Sequence, residues 1–322
     1  MGGGAWTDDA YTAKKSFLSA SGYSDSFTHD KDVKSGKVST ALHPDMNPLN
    51  VKVRESRDSA EHPESNAVAV FFDVTGSMGS VPKTLQEKLP KLLATLLQRD
   101  CLPHPQILFG AIGDVTCDNV ALQVGQFESD IRIDDTLSKI FIEGGGGGQV
   151  YESYELAMYF MTRHTSIDCL EKRDKKGYLF IIGDECARDV SKDAVKEVIG
   201  DTLQSNIPLK EVIEEVLEKY ELYYIIPNQT SYFNDNRVNK FWKDLLGERF
   251  IKLDNPNLVC ECIATLIAAN EGQDIVKTAK SMGLSDSDTS VISRALANVS
   301  PTPSKMLGKV VGNLNTSLLD IG

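Results

Sequence analysis

Hydrophobic residues cluster along the chain in short runs that have the length of β-strands. From residue 66 the run NAVAVFFD is almost continuously apolar, which is typical of a strand buried on both faces. Similar runs follow at intervals: QILFGAIGD at 106–114, VALQVGQFE at 120–128, YLFIIGDE at 178–185, ELYYIIPN at 221–228 and RFIKL at 249–253. The pattern therefore predicts six strands, with the segment 120–128 at an edge of the sheet.

Between these runs, apolar residues recur with the three-to-four-residue spacing of amphipathic helices. Pro90 is expected to kink the first predicted helix, because proline removes a backbone donor. The predicted helices cover 83–98, 150–163, 209–220, 237–247 and 256–270. Strands that alternate with helices over about 200 residues are typical of an α/β domain. We therefore predict a doubly wound, mostly parallel central sheet flanked by helices.

Two further segments flank this domain, which we place at residues 66–272. Residues 1–65 are rich in Ser, Asp, Lys and His and lack helical periodicity, so they are predicted to form an extended N-terminal arm. Residues 273–322 are predicted to form a C-terminal appendage with two short helices and an end rich in Ser, Thr, Pro and Gly. The arm and the tail would supply extra surface for assembly, with like subunits or within a larger complex.

The negative charge of the chain is concentrated in the central domain. The whole chain has a net charge of −12, and residues 66–272 hold 21 of its 34 basic and 32 of its 46 acidic residues. The resulting negative electrostatic field repels the phosphate backbone of nucleic acids and favours a bound cation. We therefore do not expect nucleic acid as a partner. No apolar run approaches the ~18–20 residues of a membrane helix, and no secretory signal is recognised. The six cysteines lack zinc-type spacing, and we expect reduced thiols in a cytoplasmic protein with no membrane partner.

Three of the predicted strands end in a carboxylate: Asp73, Asp114 and Asp184. Ligands of open α/β sheets bind beyond the carboxyl ends of the strands, so these side chains are candidates for a common site. Asp73 is followed by Thr75 and Ser77 in the sequence DVTGSMG, which can direct three oxygen atoms toward one small region. Such oxygen ligands suit a hard divalent cation such as Mg²⁺. The alternative is that Thr75 and Ser77 only cap the following helix, and that Asp114 only caps a loop.

The segment AVFFDVTGSMGS resembles the opening of a von Willebrand factor A domain, whose metal-ion-dependent adhesion site reads D-x-S/T-x-S. The resemblance extends over about residues 66–270 and implies the same α/β fold. It also implies that Asp73, Thr75 and Ser77 form the first metal-binding loop and that Asp184, near the end of YLFIIGDE, completes the site. Mg²⁺ is the implied cofactor, with Mn²⁺ or Ca²⁺ as alternatives. The chain is also similar to uncharacterised bacterial and large-phage proteins of this class, and this similarity implies no particular function.

One position departs from the pattern of the family. The third metal-binding loop of the family has a glycine pair or triplet followed by Thr or Asp, whereas Gly144–Gly148 is followed here by Gln149. A Gln carbonyl oxygen can bind a metal but carries no charge, so we expect Gln149 to be a weaker ligand. Glu152 and Ser153 lie one helical turn further along and could substitute through water. The glycine run is alternatively a hinge or a place of close backbone approach.

Motifs of several common enzyme classes are absent from this sequence. The hydrolase motif GxSxG is absent because Thr75 stands where a glycine is required, and neither a P-loop nor a dinucleotide-binding pattern occurs. The five histidines are scattered along the chain. Glu185 and Cys186 follow Asp184 directly, but a hydrolytic role would need a positioned water and a substrate pocket. We therefore expect a protein that is not an enzyme, with a metal-dependent hydrolase as the least favoured reading.

The leading hypothesis is a protein-interaction module. It would bind a divalent cation and use it to engage a carboxylate on a protein partner, because that carboxylate gains a strong charge interaction with the ion. The alternative is a structural component of a phage particle or another large complex, with the fold as a scaffold and a degenerate metal site. In that case the protein would be associated with a virion. A homo-oligomer is compatible with either hypothesis.

Overall fold

The structure, a computed structural model, describes Ser16, residues 27–130 and residues 132–300. Strands in the described residues are short to medium in length, and the longest have eight residues. They are β1 (Arg54–Ser56), β2 (Asn66–Asp73), β3 (Pro105–Ile112), β4 (Leu122–Val124), β5 (Thr165–Ile167), β6 (Gly177–Ile182), β7 (Tyr220–Pro227) and β8 (Phe250–Leu253).

Six of these strands form the central sheet, in the spatial order β4-β3-β2-β6-β7-β8. Neighbouring strands are parallel except for β3 and β4, which pair antiparallel at one edge. The two remaining strands, β1 and β5, form a separate parallel pair. The fold is therefore α/β, with a mixed and mostly parallel central sheet flanked by helices.

Helices connect the strands and cover the sheet. They are α1 (Thr28–Lys34), α2 (Val81–Lys88), α3 (Leu92–Gln98), α4 (Arg132–Ser138), α5 (Tyr154–Arg163), α6 (Asp168–Arg173), α7 (Lys192–Val198), α8 (Leu209–Lys219), α9 (Asn236–Leu246), α10 (Val259–Asn270), α11 (Ile275–Ser281) and α12 (Asp286–Ala295). Short 3₁₀ turns add Pro44–Met46, Gly76–Met78, Leu89–Lys91, Gly247–Arg249 and Pro256–Leu258.

The central strand β2 is buried along its whole length, as its apolar sequence predicts. Successive side chains of a strand point to opposite faces, so β2 contributes to two hydrophobic clusters. Val70 and Phe72 belong to the cluster that includes residues of α2, α3 and α10. Ala69 and Phe71 belong to the cluster that includes residues of α5, α8 and α9. Helices on both faces thus keep the centre of the sheet dry.

The six predicted strands and five predicted helical regions are confirmed, with shifted ends. The segment predicted at 120–128 has only three residues in strand conformation, at the antiparallel edge. The helix predicted over 83–98 is divided by a 3₁₀ turn at Leu89–Lys91, because Pro90 cannot donate the hydrogen bond of a continuous helix. The unpredicted elements α1, α4, α6 and α7 have seven residues or fewer, which is too short for a clear helical period.

Both flanking segments contact the central domain where the structure describes them. In the N-terminal segment, Arg54 of β1 pairs with Thr165 of β5, and Asp30 of α1 accepts a hydrogen bond of 3.0 Å from the backbone N–H of Ile142. In the C-terminal segment, the two predicted short helices are present as α11 and α12, and both add residues to the core. The boundaries at 65 and 272 stay predictions. The parts of the predicted arm and tail at 1–15, 17–26 and 301–322 lie outside the described residues.

Two further features bear on the expectations above. Within the described residues, no helix combines the length and apolarity that crossing a bilayer requires. All six cysteines lie in the described residues and are free thiols.

Candidate metal centre

The candidate site lies at the carboxyl edge of the sheet, where β2 adjoins β6. Asp73 is the last residue of β2, and Asp184 follows the end of β6 by two positions. In the sheet, β3 lies next to β2 on one side, and β6, which comes later in the chain, lies next to β2 on the other side. Ligands of open α/β sheets bind at such a reversal of strand order. The fold therefore brings together residues that are far apart in the sequence.

Hydrogen bonds pair Thr75 with Asp73 and Ser77 with Asp184, and the two pairs lie side by side. The Thr75 hydroxyl donates to Asp73 Oδ1 at 2.6 Å, and the Thr75 backbone N–H donates to the same oxygen at 2.8 Å. The hydroxyl oxygens of Thr75 and Ser77 are 3.3 Å apart, and the Ser77 hydroxyl donates to Asp184 Oδ1 at 2.6 Å. Both hydroxyls are thus engaged with carboxylates, and neither caps the following turn or α2. Four of the five predicted metal ligands converge.

The Tyr154 side chain connects Asp73 with the backbone of Asp184. Its hydroxyl donates to Asp73 Oδ2 at 2.6 Å and accepts from the backbone N–H groups of Asp184 and Glu185 at 3.2 and 3.3 Å. A Cβ atom at Gly183 would lie 2.3 Å from this hydroxyl oxygen, so the close approach requires glycine. The sequence analysis missed Tyr154, because a tyrosine among apolar residues at the start of a helix has the pattern of an ordinary core residue.

Buried aromatic rings hold the Asp184–Glu185 loop in place. The rings of Tyr224 and Trp242 stack with centroids 3.9 Å apart, and Tyr154 meets both edge to face. The Glu185 carbonyl accepts hydrogen bonds from Trp242 Nε1 at 2.7 Å and from the Tyr224 hydroxyl at 3.0 Å. These buried donors hold the backbone of the loop that carries Asp184.

The glycine run lies against the loop at 73–77. The Gly76 N–H donates to the Gly145 carbonyl, and the Gly144 N–H donates to the Val74 carbonyl at 3.1 Å. A Cβ atom at Gly76 would lie 2.7 Å from the Gly145 oxygen, so a larger residue would push the two loops apart. Gln149, the fifth predicted ligand, is exposed, whereas Asp73 is buried. The assignment of Gln149 as a ligand stays a prediction.

Two buried glutamates adjoin the site. Glu152 and Glu185 are 3% and 4% exposed, and Oε2 of each has no hydrogen-bond partner among the described residues. Burial, reinforced by the charge of Asp73, raises the pKa of Glu152 to about 11 and that of Glu185 to about 8. Burial thus favours the neutral, protonated form of both groups, and no described basic side chain forms an ion pair with either of them.

Asp114, the third aspartate at a strand end, has its own positive partner. Its Oδ2 accepts from Arg188 Nη2 at 2.8 Å, and its Oδ1 accepts from the Thr116 hydroxyl at 2.8 Å. The Thr116 backbone N–H also donates to Oδ1 at 2.8 Å, which is the pattern of a carboxylate that caps its own turn. Asp114 thus makes the hydrogen bonds expected of a residue that caps a loop, which was the alternative to a role in the metal site.

The donors of the site fit a hard divalent cation. Asp73 and Asp184 are fully buried, and no described basic side chain forms an ion pair with either of them. Burial, and then the charge of Asp184, raises the pKa of Asp73 to about 7, and burial also raises the pKa of Asp184. Across residues 27–130 and 132–300, no three His, Cys, Asp or Glu side chains group as metal ligands. The candidate set consists of two carboxylates and two hydroxyls, which are oxygen donors of the kind that Mg²⁺ prefers.

Comparisons with known proteins add a likeness of shape only. No protein-family model and no curated protein matches the chain. The chain is similar to the pilus adhesin SpaC from Lactobacillus rhamnosus GG, with 8% identity, a TM-score of 0.42, and coverage of 70% of this chain and 31% of the adhesin. It is also similar to proximal thread matrix protein 1 from the mussel byssus, with 8% identity, a TM-score of 0.40, and coverage of 67% of this chain and 49% of that protein. Similarity at this level transfers no function to this chain.

Proposed function

We propose that the chain is a non-enzymatic protein-interaction module of the von Willebrand factor A type. Asp73, Thr75, Ser77 and Asp184 would hold a divalent cation, and their oxygen atoms suit Mg²⁺. The cation in turn would engage an acidic side chain of a partner protein. The observation that carries this proposal is that these four side chains converge at the ends of β2 and β6. Thr75 donates to Asp73, Ser77 donates to Asp184, and the two hydroxyl oxygens are 3.3 Å apart.

The placement of the motif supports the assignment to this class. Asp73 ends the strand at the centre of the sheet, and Asp184 follows the neighbouring strand. A D-x-T-x-S loop can share one cation with a second aspartate only if the two strand ends are adjacent, as they are in this order. The short antiparallel strand β4 lies at an edge of the sheet and is separated from β2 by β3.

Charge explains why partner binding would depend on metal. Residues 66–272 carry a net charge of −11, which repels an acidic partner. A bound cation supplies a local positive charge that a partner's carboxylate can approach. The buried Asp73 and Asp184 would gain the counter-charge that the described residues do not provide. Thr75 and Ser77 would turn their hydroxyl oxygens to the cation and give up hydrogen bonds to the two carboxylates.

Isothermal titration of Mg²⁺ and Mn²⁺ into the purified chain tests the cation site. We expect saturable binding to the wild-type chain and loss of binding in Asp73→Ala, which removes a charged ligand. Glu214→Gln is the matched control, since Glu214 is an exposed carboxylate on α8, and this variant should bind as the wild-type chain does. If the wild-type chain binds neither ion, the proposal is wrong and the fold serves as a scaffold.

Retention on immobilised poly-L-glutamate tests the acidic partner. We expect the chain to be retained in Mg²⁺ and released by EDTA, because the cation would bridge the protein and the polymer carboxylates. Asp73→Ala should pass through in both conditions, and Glu214→Gln should behave as the wild-type chain does. Equal retention of Asp73→Ala in Mg²⁺ would show that the polymer does not bind through this site.

A further inference from the structure

Glu152 and Glu185 are buried carboxylates that the proposed four-residue site does not use. Their exposed fractions are 3% and 4%, and each keeps Oε2 without a hydrogen-bond partner among the described residues. Buried carboxylate oxygens are costly unless a donor or a cation satisfies them. Glu185 directly follows Asp184 in the chain, and the backbone N–H of Glu152 donates to the carbonyl of Cys186, the next residue after Glu185. Both glutamates therefore lie on or beside the loop that carries Asp184.

Backbone hydrogen bonds hold Glu152 beside the loop that carries Asp184. The Glu152 N–H donates to the Cys186 carbonyl at 2.9 Å, and the Cys186 N–H donates to the Val150 carbonyl at 3.1 Å. The next residue, Ser153, donates its N–H to the Gly113 carbonyl at 3.1 Å. Glu152 is thus anchored on two sides, between the turn after β3 and the loop after β6.

We infer that Glu152 and Glu185 complete the cation site by accepting hydrogen bonds from water molecules bound to the cation. This inference rests on the proposed function, because it concerns the same cation. Mg²⁺ keeps several of its waters in proteins, and those waters need acceptors. Glu152, which is buried and charged when ionised, takes the role in the third loop that the sequence assigned to the exposed Gln149.

Titration of Mg²⁺ into four variants tests this inference: Glu152→Gln, Glu185→Gln, Gln149→Ala and Asp73→Ala. Mutation of a residue that hydrogen-bonds to a group bound to the metal typically lowers metal affinity about 10–100-fold. We therefore expect the Kd for Mg²⁺ to rise about 10–100-fold in each glutamate variant. We expect a change of less than about twofold in Gln149→Ala, since the side chain is exposed and uncharged. Thermal unfolding without metal is the second readout, because a merely structural glutamate would change Tm and leave the Kd for Mg²⁺ unaltered.

The outcomes separate this inference from the proposed function. If Asp73→Ala loses Mg²⁺ while both glutamate variants bind it as tightly as the wild-type chain, the cation site stands and the role of the glutamates is wrong. A large effect of Gln149→Ala alone would return the third loop to Gln149 and equally overturn the inference. If the wild-type chain does not bind Mg²⁺, both proposals fail together. If Glu152→Gln does not fold, the Kd of Glu185→Gln for Mg²⁺ decides whether the inference holds.

Discussion

The Tyr154 hydroxyl donates a hydrogen bond of 2.6 Å to Asp73 Oδ2, and these two residues are 81 positions apart in the sequence. Both side chains are fully buried. The same hydroxyl accepts from the backbone N–H of Asp184, so one phenol oxygen sets the positions of both candidate aspartates. Tyr154 is therefore a positioning residue for the site and does not itself belong to the proposed ligands.

We predict that Tyr154→Phe lowers the stability of the chain and weakens Mg²⁺ binding. Loss of the hydroxyl leaves buried polar groups unpaired, which costs about 1–3 kcal/mol in the free energy of unfolding. Urea denaturation measures the stability, and isothermal titration measures the affinity. Tyr159→Phe is the matched control on the same helix, because its hydroxyl donates to Asp201 at 2.7 Å, outside the candidate site. Unchanged Mg²⁺ affinity in Tyr154→Phe would contradict the positioning role.

The contact between Gly76 and Gly145 gives a second prediction. An added Cβ at Gly76 would lie 2.7 Å from the Gly145 carbonyl oxygen, so Gly76→Ala should push the two loops apart. Such overpacking typically costs about 1–3 kcal/mol, and the displaced loop should bind Mg²⁺ more weakly. Gly146→Ala is the control, since a Cβ there meets open space. Denaturation curves that coincide for the two variants would contradict this account of the glycine run.

Mg²⁺ should raise the thermal stability of the chain if it binds the folded state at Asp73. At a free concentration of 100 times Kd, the linkage relation gives about 2.7 kcal/mol of added stability. We expect Tm to rise with Mg²⁺, to return to its starting value on addition of EDTA, and to be insensitive to Mg²⁺ in Asp73→Ala. Differential scanning calorimetry measures this shift. An equal rise of Tm in Asp73→Ala would place the stabilising cation elsewhere on the protein.

The ion pairs of Asp58 give a prediction about pH. Hydrogen bonds from Arg173 at 2.8 and 3.1 Å are the largest cause that lowers the pKa of Asp58 below its ordinary value. A lowered pKa in the folded state contributes stability above the unfolded-state pKa, roughly 3.9 for Asp, and this stability is lost as the pH falls toward the folded-state pKa. Asp58→Asn should therefore be less stable than the wild-type chain at pH 7, and the difference should narrow below about pH 4.

Urea denaturation at a series of pH values measures this difference. Asp244→Asn is the control, because Asp244 is an exposed partner of Lys240 on α9, and exposed pairs of this kind contribute about 0–1 kcal/mol. If the deficit of Asp58→Asn is the same at pH 7 and near pH 2, the charge of Asp58 is not its source.

Strand positions and the oxygen-rich loop after Asp73 follow from local sequence. NAVAVFFD is apolar at every position except its ends, and such a run is stable only where both faces are covered, so it predicts a central strand. The same applies to YLFIIGDE, which places Asp184 just after a strand. Because parallel strands present their carboxyl ends at one edge, the sequence also predicted that Asp73 and Asp184 lie at the same edge of the sheet.

Other features depend on how distant segments pack. The Ser77–Asp184 hydrogen bond forms because β2 and β6 are neighbours, and strand order is a property of the whole sheet. The unpaired oxygens of Glu152 and Glu185 likewise arise from burial by other elements, whereas in the sequence both are ordinary glutamates.

The sequence by itself determined the alternation of strands and helices, the oxygen-rich loop at Asp73 and the acidic character of the central domain. These depend on residue type and on spacing within one segment, which are visible in any linear pattern. The tertiary structure alone decided that Tyr154 meets Asp73, that Gly76 touches Gly145, and that Asp114 pairs with Arg188. The physical reason is that a hydrogen bond or a close contact depends on atomic positions a few ångströms apart, and strand order, register and helix packing set those positions together.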